Sequence, residues 1–457
     1  MTDKSLPLSH YMGKLALFSL PISANMLFNM ISTFIAVLMV AKLGKTNLAA
    51  VALAGGAFIT LSVITSSIFY AVSILISHAH GQKKPTVWIG ALIKNSFYLA
   101  LFLAVPASFL LWHMGTVLPW LGQDPALAVL TYGYFHFAGL SMFPMLISMV
   151  VIQFYMGIGN PKFTLYMTLL SLPLLVIASY ALILGKLGMP QMGISGITLA
   201  VFTVTTLRCI LILFYMFLTP SLKKYHLFTG SWRLDLHLCQ RIITLGWPIG
   251  IQFGGELAAM TCATYLMGQF GVTALAAAQI VSQYGMLAIM IVLGLSQAAS
   301  VLISKSYGED DMYAIKHYFS AGFALQILFF IMIGFVYYML PMQLASLYVD
   351  IHDPQNQFFL HLVRLFFAVS AVSLWLDSIR NFLAGGLRGL HDSKTPMVVG
   401  LIGLWAISLP MAYIIGFICK GGPVGLQMGF ACGFFVASAV LWWRSKNKLI
   451  SVSPFIV

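Results

Sequence analysis

The chain has 457 residues, of which 60% are hydrophobic and only 8% are charged, whereas an ordinary soluble domain has roughly a quarter charged residues. This composition excludes a soluble globular protein and indicates a protein with many membrane spans. The net charge of +13 does not indicate nucleic-acid binding, because no basic stripe is concentrated enough to follow a phosphate backbone.

Twelve apolar stretches follow one another, each long enough for the roughly twenty helical residues that cross a bilayer core. We expect helices, because stretches of this length exceed the strands of a membrane barrel and the bilayer offers no water to the backbone. The first stretch is not expected to be a cleavable signal peptide, because it is too long and because the acidic Asp3 lies where such a peptide is basic. This stretch is predicted as the first span. The predicted spans are 14–41, 47–77, 87–113, 126–152, 163–185, 193–219, 241–268, 273–303, 313–340, 356–386, 396–418 and 422–444.

The basic residues predict the orientation of these spans. With the N-terminus inside, sixteen basic residues fall in cytoplasmic segments and four fall outside, namely Lys42, Lys45, Lys186 and Lys420. Cytoplasmic loops of membrane proteins carry this excess of Lys and Arg. We therefore expect a multi-pass protein of the cell inner (cytoplasmic) membrane, with both termini in the cytoplasm.

The sequence contains an internal repeat with an offset of 227 residues. Pro21-Ile22 aligns with Pro248-Ile249, and Leu75-Ile76-Ser77 aligns with Leu302-Ile303-Ser304. Each copy has six spans, an even number, so both copies have the same orientation. This pattern predicts an all-α transmembrane fold of two six-helix bundles related by a pseudo-two-fold axis along the membrane normal, a plan found in secondary transporters. The predicted divisions are an N-terminal half at 1–218, a cytoplasmic linker at 219–241 and a C-terminal half at 242–457.

Two of the eleven acidic residues, Glu256 and Asp377, lie inside predicted spans. An ionised carboxylate at the bilayer centre costs roughly 2.5–3.5 kcal/mol, so we expect both to face the protein interior and to have a function there. Arg380 and Asn381 follow Asp377 at i+3 and i+4, so a buried ion pair that clamps helices is an alternative for Asp377. Glu256 has no basic residue within two turns of its own helix, and Gln252 at i−4 is its nearest polar neighbour.

The repeat indicates that charge-based chemistry is concentrated in the second half. It aligns Glu256 with Asn29 and Gln252 with Asn25, which are neutral. Gln283 is well inside the eighth span and is a further candidate. Singly placed polar residues in spans are more often interhelical hydrogen bonds or snorkelling ends than ligands. This group comprises Gln279, Gln283, Gln297, Arg208, Arg364 and His136.

Several of these features resemble the multidrug and toxic compound extrusion (MATE) family, in particular its bacterial NorM-type branch. They are the two six-span halves, WPIGIQFGGE in the seventh span and LWLDSIRNFLAGGLRGLHDSKTP around the tenth. The resemblance implies a monomeric antiporter that exports cationic or amphipathic drugs in exchange for Na⁺ or H⁺. It maps the family's membrane carboxylates onto Glu256 and Asp377, which would hold the Na⁺ or the proton. Bacterial members usually carry a first-span aspartate, where this chain has Ser32 at the nearest match.

Other interpretations stay open at this stage. A lipid-linked sugar flippase would line its cavity with several bases, and the bases inside predicted spans are only Lys94, Arg208, Arg364 and Arg380. A membrane enzyme would need a catalytic pair or a metal cluster in the bilayer. We expect neither, because the only close His pair, His78 and His80, lies at a span end, and the five cysteines form no CxxC pair. No cofactor beyond the coupling ion is expected. The expected mechanism is alternating access by rocking of the two halves.

The orientation can be tested by labelling. In a cysteine-free background, Lys224→Cys and Asp353→Cys are expected to react with an impermeant thiol reagent from opposite sides of the membrane, because an odd number of spans separates them. Reaction from the same side would contradict the twelve-span map.

Overall fold

The computed structural model describes residues 6–41, 43–121, 125–229, 232–351 and 353–451, and within these ranges every regular element is helical. Asp3, Lys42 and Asp124 lie outside the described residues. The α-helices are α1 (Leu8–Ala41), α2 (Lys45–Ser67), α3 (Tyr70–Gly81), α4 (Thr86–Val117), α5 (Pro125–Gly157), α6 (Lys162–Leu184), α7 (Ser195–Leu218), α8 (Leu236–Gly268), α9 (Val272–Gly308), α10 (Met312–Met339), α11 (Pro341–Ser346), α12 (Gln357–Gly389), α13 (Lys394–Leu401), α14 (Leu409–Tyr413) and α15 (Gly422–Ser451).

The predicted spans correspond to these helices. Within the described part of the chain, eleven helical segments are long and apolar enough to cross a membrane. The predicted seventh span, α8, is a continuous 33-residue helix but is not among those eleven, because no stretch of it is apolar enough. The second span is divided into α2 and α3, and the eleventh consists of α13, α14 and two π-helical segments, Ile402–Ser408 and Ile414–Ile418.

Several predicted boundaries were wrong by a few residues, because the helices continue past the end of the apolar stretch. Helix α9 ends at Gly308 and not at 303, α12 ends at Gly389 and not at 386, and α15 continues to Ser451. Helix α8 begins at Leu236, so the last residues of the predicted linker are helical. Polar residues are tolerated at these ends, since the helices extend beyond the hydrocarbon region.

The described chain divides into two compact units, which differ from the predicted halves. One unit contains residues 24–250, and the other contains 1–23 with 251–457. The first part of α1 thus belongs with the second half, and the first part of α8 belongs with the first half. The chain changes unit after Ser23 and again after Gly250, two positions that are 227 residues apart, as in the sequence repeat.

The fourth span lies at the centre of each unit. In the unit of residues 24–250, α5 packs against α2, α3, α4 and α7. In the other unit, the equivalent helix α12 packs against α9, α10 and α15. Both halves therefore follow the same packing plan, as the repeat predicts.

Close helix contacts explain why α8 begins in the unit of residues 24–250. A Cβ atom added to Gly246 would collide with the carbonyl oxygen of Ile68, and one added to Gly250 would lie 2.5 Å from the carbonyl oxygen of Ile64. Small residues allow the backbones of two membrane helices to approach in this way. The contact of α8 with α2 therefore depends on glycine.

The repeat places an equivalent contact in the other unit. Ser23 Oγ donates a hydrogen bond to the carbonyl oxygen of Ile291 at 3.1 Å. Ser23 and Gly250 are 227 residues apart, and so are Ile64 and Ile291. The two copies therefore share this helix–helix contact as well as their sequence motifs.

The predicted linker packs on α4. Lys94 Nζ donates to the carbonyl oxygen of Thr229 at 2.7 Å, and Tyr98 OH donates to that of Trp232 at 3.0 Å. The linker contains a 3-10 helix, Pro220–Tyr225. These bonds attach the linker to its unit and satisfy the Lys94 ammonium group.

The glycine contact predicts unequal effects of one substitution at two sites. Gly246→Ala is expected to lower the melting temperature of the purified protein, because the added methyl group must separate α8 from α2, and overpacking costs about 1–3 kcal/mol. Gly334→Ala in α10 is the matched control, because a Cβ atom there meets nothing within 4 Å. It is expected to leave the melting temperature unchanged or slightly raised. Equal melting temperatures of the two variants would contradict the close approach of α8 to α2.

Candidate functional site

An arginine joins the two acidic residues that the sequence places in spans. Arg380 Nη1 donates to Glu256 Oε1 at 2.6 Å, which ties α12 to α8. Its Nε and Nη2 atoms donate to Asp377 Oδ1 at 2.8 and 2.7 Å. Arg380 therefore bridges both carboxylates. Charge-assisted hydrogen bonds of this kind are short and strong.

A glutamine connects this bridge to a second arginine. Gln252 Nε2 donates to Glu256 Oε1 at 2.9 Å, and its Oε1 atom accepts from Arg388 Nη2 at 2.7 Å. Gln252, Glu256, Asp377, Arg380 and Arg388 are called the carboxylate–arginine cluster below. It contains two acids and two arginines, so its formal charge is zero when all four are ionised.

Arg388 was not a sequence-predicted site residue, because it lies two residues past the predicted end of the tenth span at 386. Arg388 lies within α12 and is buried, with 5% of its surface exposed. It follows Asp377 by 11 residues, about three helical turns at 3.6 residues per turn, so both residues are on one face. That spacing was the signal available in the sequence.

Small and aromatic residues fit around the cluster. A Cβ atom on Gly400 in α13 would lie 3.2 Å from Arg380 Nη1 and 3.3 Å from Gln252 Nε2, which leaves little room for a side chain. The Arg380 guanidinium lies 5.6 Å from the ring centre of Phe434. Arg388 lies 5.1 Å from that of Phe253. Both are within the distance at which a cation and an aromatic ring attract each other.

The carboxylates are more accessible than the arginine between them. The side chain of Arg380 is 2% exposed, whereas that of Asp377 is 10% exposed and that of Glu256 is 15% exposed. The two carboxylates therefore keep a small accessible surface, whereas the guanidinium has almost none.

The ion-pair alternative for Asp377 is realised, and it extends to Glu256. The expectation that Glu256 has no basic partner within its own helix is correct, but Arg380 approaches it from α12. Removing one partner of a buried ion pair costs about 3–5 kcal/mol, because the other charge stays buried. The cluster therefore holds α8 against α12 in addition to any ion-handling role.

Two further candidates of the second half do not join the cluster. Asn381 Nδ2 donates to the backbone oxygen of Asp377 at 3.0 Å, and the backbone oxygen of Asn381 accepts from Ser296 Oγ at 2.6 Å. Asn381 is thus part of the helix packing. Gln283 is half-buried on α9, and among the described residues no hydrogen bond joins it to the cluster.

The aligned positions of the first half form a neutral polar group. Asn29 Nδ2 donates to the backbone oxygen of Asn25 at 2.8 Å and to its Oδ1 atom at 3.1 Å. Thr168 Oγ1 in α6 also donates to Asn25 Oδ1. Ser32 Oγ bonds the backbone oxygen of Phe28 in its own helix at 2.9 Å. The counterparts of Glu256 and Gln252 thus form a hydrogen-bonded group with Thr168.

Comparisons with known proteins agree with this architecture. The family model MatE matches residues 21–181 and 248–414, one segment in each half. The probable multidrug resistance protein NorM of Rhizobium meliloti (strain 1021) is 32% identical over 452 residues, which cover 99% of this chain and 96% of that protein. The multidrug resistance protein NorM of Burkholderia vietnamiensis is 27% identical over 455 residues, 97% of this chain and 96% of that protein.

A solved structure shares the fold. A point mutant of the Vibrio cholerae MATE transporter VcmN superposes with a TM-score of 0.85 at 17% identity, over 97% of this chain and 98% of that one. The matches favour a transporter over the enzyme hypothesis. The chain therefore belongs to the MATE family of multidrug transporters, in its NorM-type branch.

Proposed function

We propose that this protein is an antiporter that exports organic cations and other amphipathic drugs in exchange for H⁺, with the carboxylate–arginine cluster as the coupling site. The observation that carries the proposal is the position of Arg380, which bonds both Glu256 and Asp377 while the two carboxylates stay partly exposed. The protein would act as a monomer in the inner membrane with both termini in the cytoplasm.

The contacts of Arg380 favour H⁺ over Na⁺ as the coupling ion. Hard metal cations bind through several oxygen atoms. A Na⁺ ion shared by Glu256 and Asp377 would have to displace a guanidinium that bonds both. A proton neutralises one carboxylate and leaves Arg380 in place.

The charge of the cluster then decides which ligand it accepts. It is neutral when both carboxylates are ionised and carries +1 when one of them is protonated. Two unit charges about 4 Å apart interact by about 4 kcal/mol at an effective dielectric constant of about 20, enough to change an affinity about a thousandfold. The protonated cluster therefore repels a cationic drug that the ionised cluster admits. Exchange requires this alternation.

Two helices support the rearrangement that alternating access needs. Helices α1 and α8 contain Pro21 and Pro248, and each helix changes unit two residues later. A proline inside a helix removes one backbone hydrogen bond, so both helices are weakened close to the position where they leave one unit for the other.

Glu256→Gln tests the coupling role. The amide keeps the size of the side chain and an oxygen acceptor for Arg380 and Gln252, but it removes the proton site. The variant is expected to fold, and its drug efflux from proteoliposomes is expected to lose its response to an imposed pH gradient. Asp377→Asn is expected to show the same defect.

Glu309→Gln is the matched control, because Glu309 is 39% exposed and its ion pair with Lys305 is at the surface. It is expected to transport as the wild type does. A Glu256→Gln protein with lower stability but a normal response to the pH gradient would make Glu256 a structural residue only. Efflux by the wild type that follows a Na⁺ gradient and ignores a pH gradient would contradict H⁺ coupling.

Asn29→Ala tests the difference between the halves. Asn29 is neutral, so its removal is expected to reduce efflux several-fold at most, through lost hydrogen bonds. The dependence of efflux on the pH gradient is expected to remain. Loss of all transport in Asn29→Ala, together with normal coupling in Glu256→Gln, would place ion handling in the first half.

A further inference from the structure

Arg208 lies near the middle of a membrane span. It is ten residues before the cytoplasmic end of α7 and thirteen residues after its start. At 1.5 Å per residue these distances are about 15 and about 20 Å. The hydrocarbon core is about 30 Å thick, so the Cα atom of Arg208 lies close to its centre.

The side chain is half-buried at the edge of the inner face of α7, where Leu211 and Tyr215, at i+3 and i+7, are exposed. Val204 and Ile212, one turn before and one turn after it, are 6% and 0% exposed. The opposite face of the helix carries the large exposed hydrophobic residues Leu207, Ile210, Phe214 and Phe217. Arg208 Nε is buried and has no hydrogen-bond partner among the described residues. The depth of Arg208 in the span is therefore against its being a snorkelling end, which would lie close to the membrane surface.

The unit that contains Arg208 has no carboxylate at this depth. Between residues 24 and 250 the sequence holds two acids, Asp124 and Asp235, which directly precede α5 and α8 and are outside the spans. Asp235 Oδ1 accepts from the backbone N–H groups of His237 and Leu238 at 2.9 and 3.3 Å. Arg208 thus differs from Arg380, which bonds two carboxylates.

An arginine in this position needs an anion from elsewhere. Its guanidinium does not lose its charge in proteins, and an unpaired charge inside a membrane is costly. Phospholipid phosphates are at the membrane interface, about half the bilayer thickness away. A ligand that enters the protein interior is the remaining source of negative charge.

We propose that Arg208 binds the carboxylate group of amphipathic substrates, within the unit of residues 24–250. This inference rests on the proposed export function and adds carboxylate-bearing amphiphiles to the cations considered above. Arginine suits this task, because its planar fork binds the two oxygen atoms of a carboxylate with two parallel hydrogen bonds.

The test compares two fluorescent dyes, a rhodamine with a free carboxylate and its methyl ester, which differ in that one group. Efflux of each dye is measured in proteoliposomes for the wild type, Arg208→Gln and the control Arg364→Gln, whose arginine is exposed on α12. Arg208→Gln is expected to raise the KM for the acid roughly tenfold or more. Its KM for the ester and both KM values of Arg364→Gln are expected to stay within about twofold of the wild type.

A wild type that exports the ester but not the acid would overturn the proposal and leave the drug-export function standing. Equal losses for both dyes in Arg208→Gln, or no loss for either, would also overturn it. If the Arg208→Gln protein does not reach the membrane, the same comparison is made with Arg208→Lys. Lysine keeps the positive charge but cannot form the two parallel hydrogen bonds of a guanidinium group. This variant is expected to raise the KM for the acid alone, and an equal effect on both dyes would overturn the proposal. Export of neither dye by the wild type would contradict the export function itself.

Discussion

The second half of this transporter depends on one constraint, the pairing of charges that are buried in a membrane. Arg380 meets this constraint for Glu256 and Asp377 together. Because the hydrogen bonds of this arginine run to two helices, any change in the charge of either carboxylate also changes how α8 is held against α12. Under the proposed function, a proton that binds either carboxylate would therefore also change the packing of these two helices.

Most of the fold could be predicted from the sequence, because spans are recognised by their apolar length and the repeat by its aligned motifs. The two carboxylates could be found for the same reason, since each is a rare acid in an apolar stretch. The bond from Arg380 to Glu256 could not, because its ends are 124 residues apart and meet only through the packing of two helices. Arg388 was missed as a member of the cluster because the apolar stretch ends before the helix does.

The boundaries of the two units could not be predicted from the sequence either. Hydrophobic patterns show where a helix crosses the membrane but not which neighbour it packs against. For α8 that choice is made by Gly246 and Gly250, whose missing side chains allow contact with the backbone of α2. The repeat thus preserves backbone packing, whereas it does not preserve charge: Asn29 stands in the first copy where Glu256 stands in the second.

The exchange of segments also bears on how such a chain could arise. Each unit is completed by the first helical segment of the other copy, residues 1–23 in one case and the start of α8 in the other. A six-span ancestral chain would have packed its own first segment on a second copy and received that copy's segment in return. Such a pair would have been a domain-swapped homodimer, in which each subunit completed its partner. Fusion of two such genes through the linker would convert that dimer into the present chain, and the two copies could then acquire different charges.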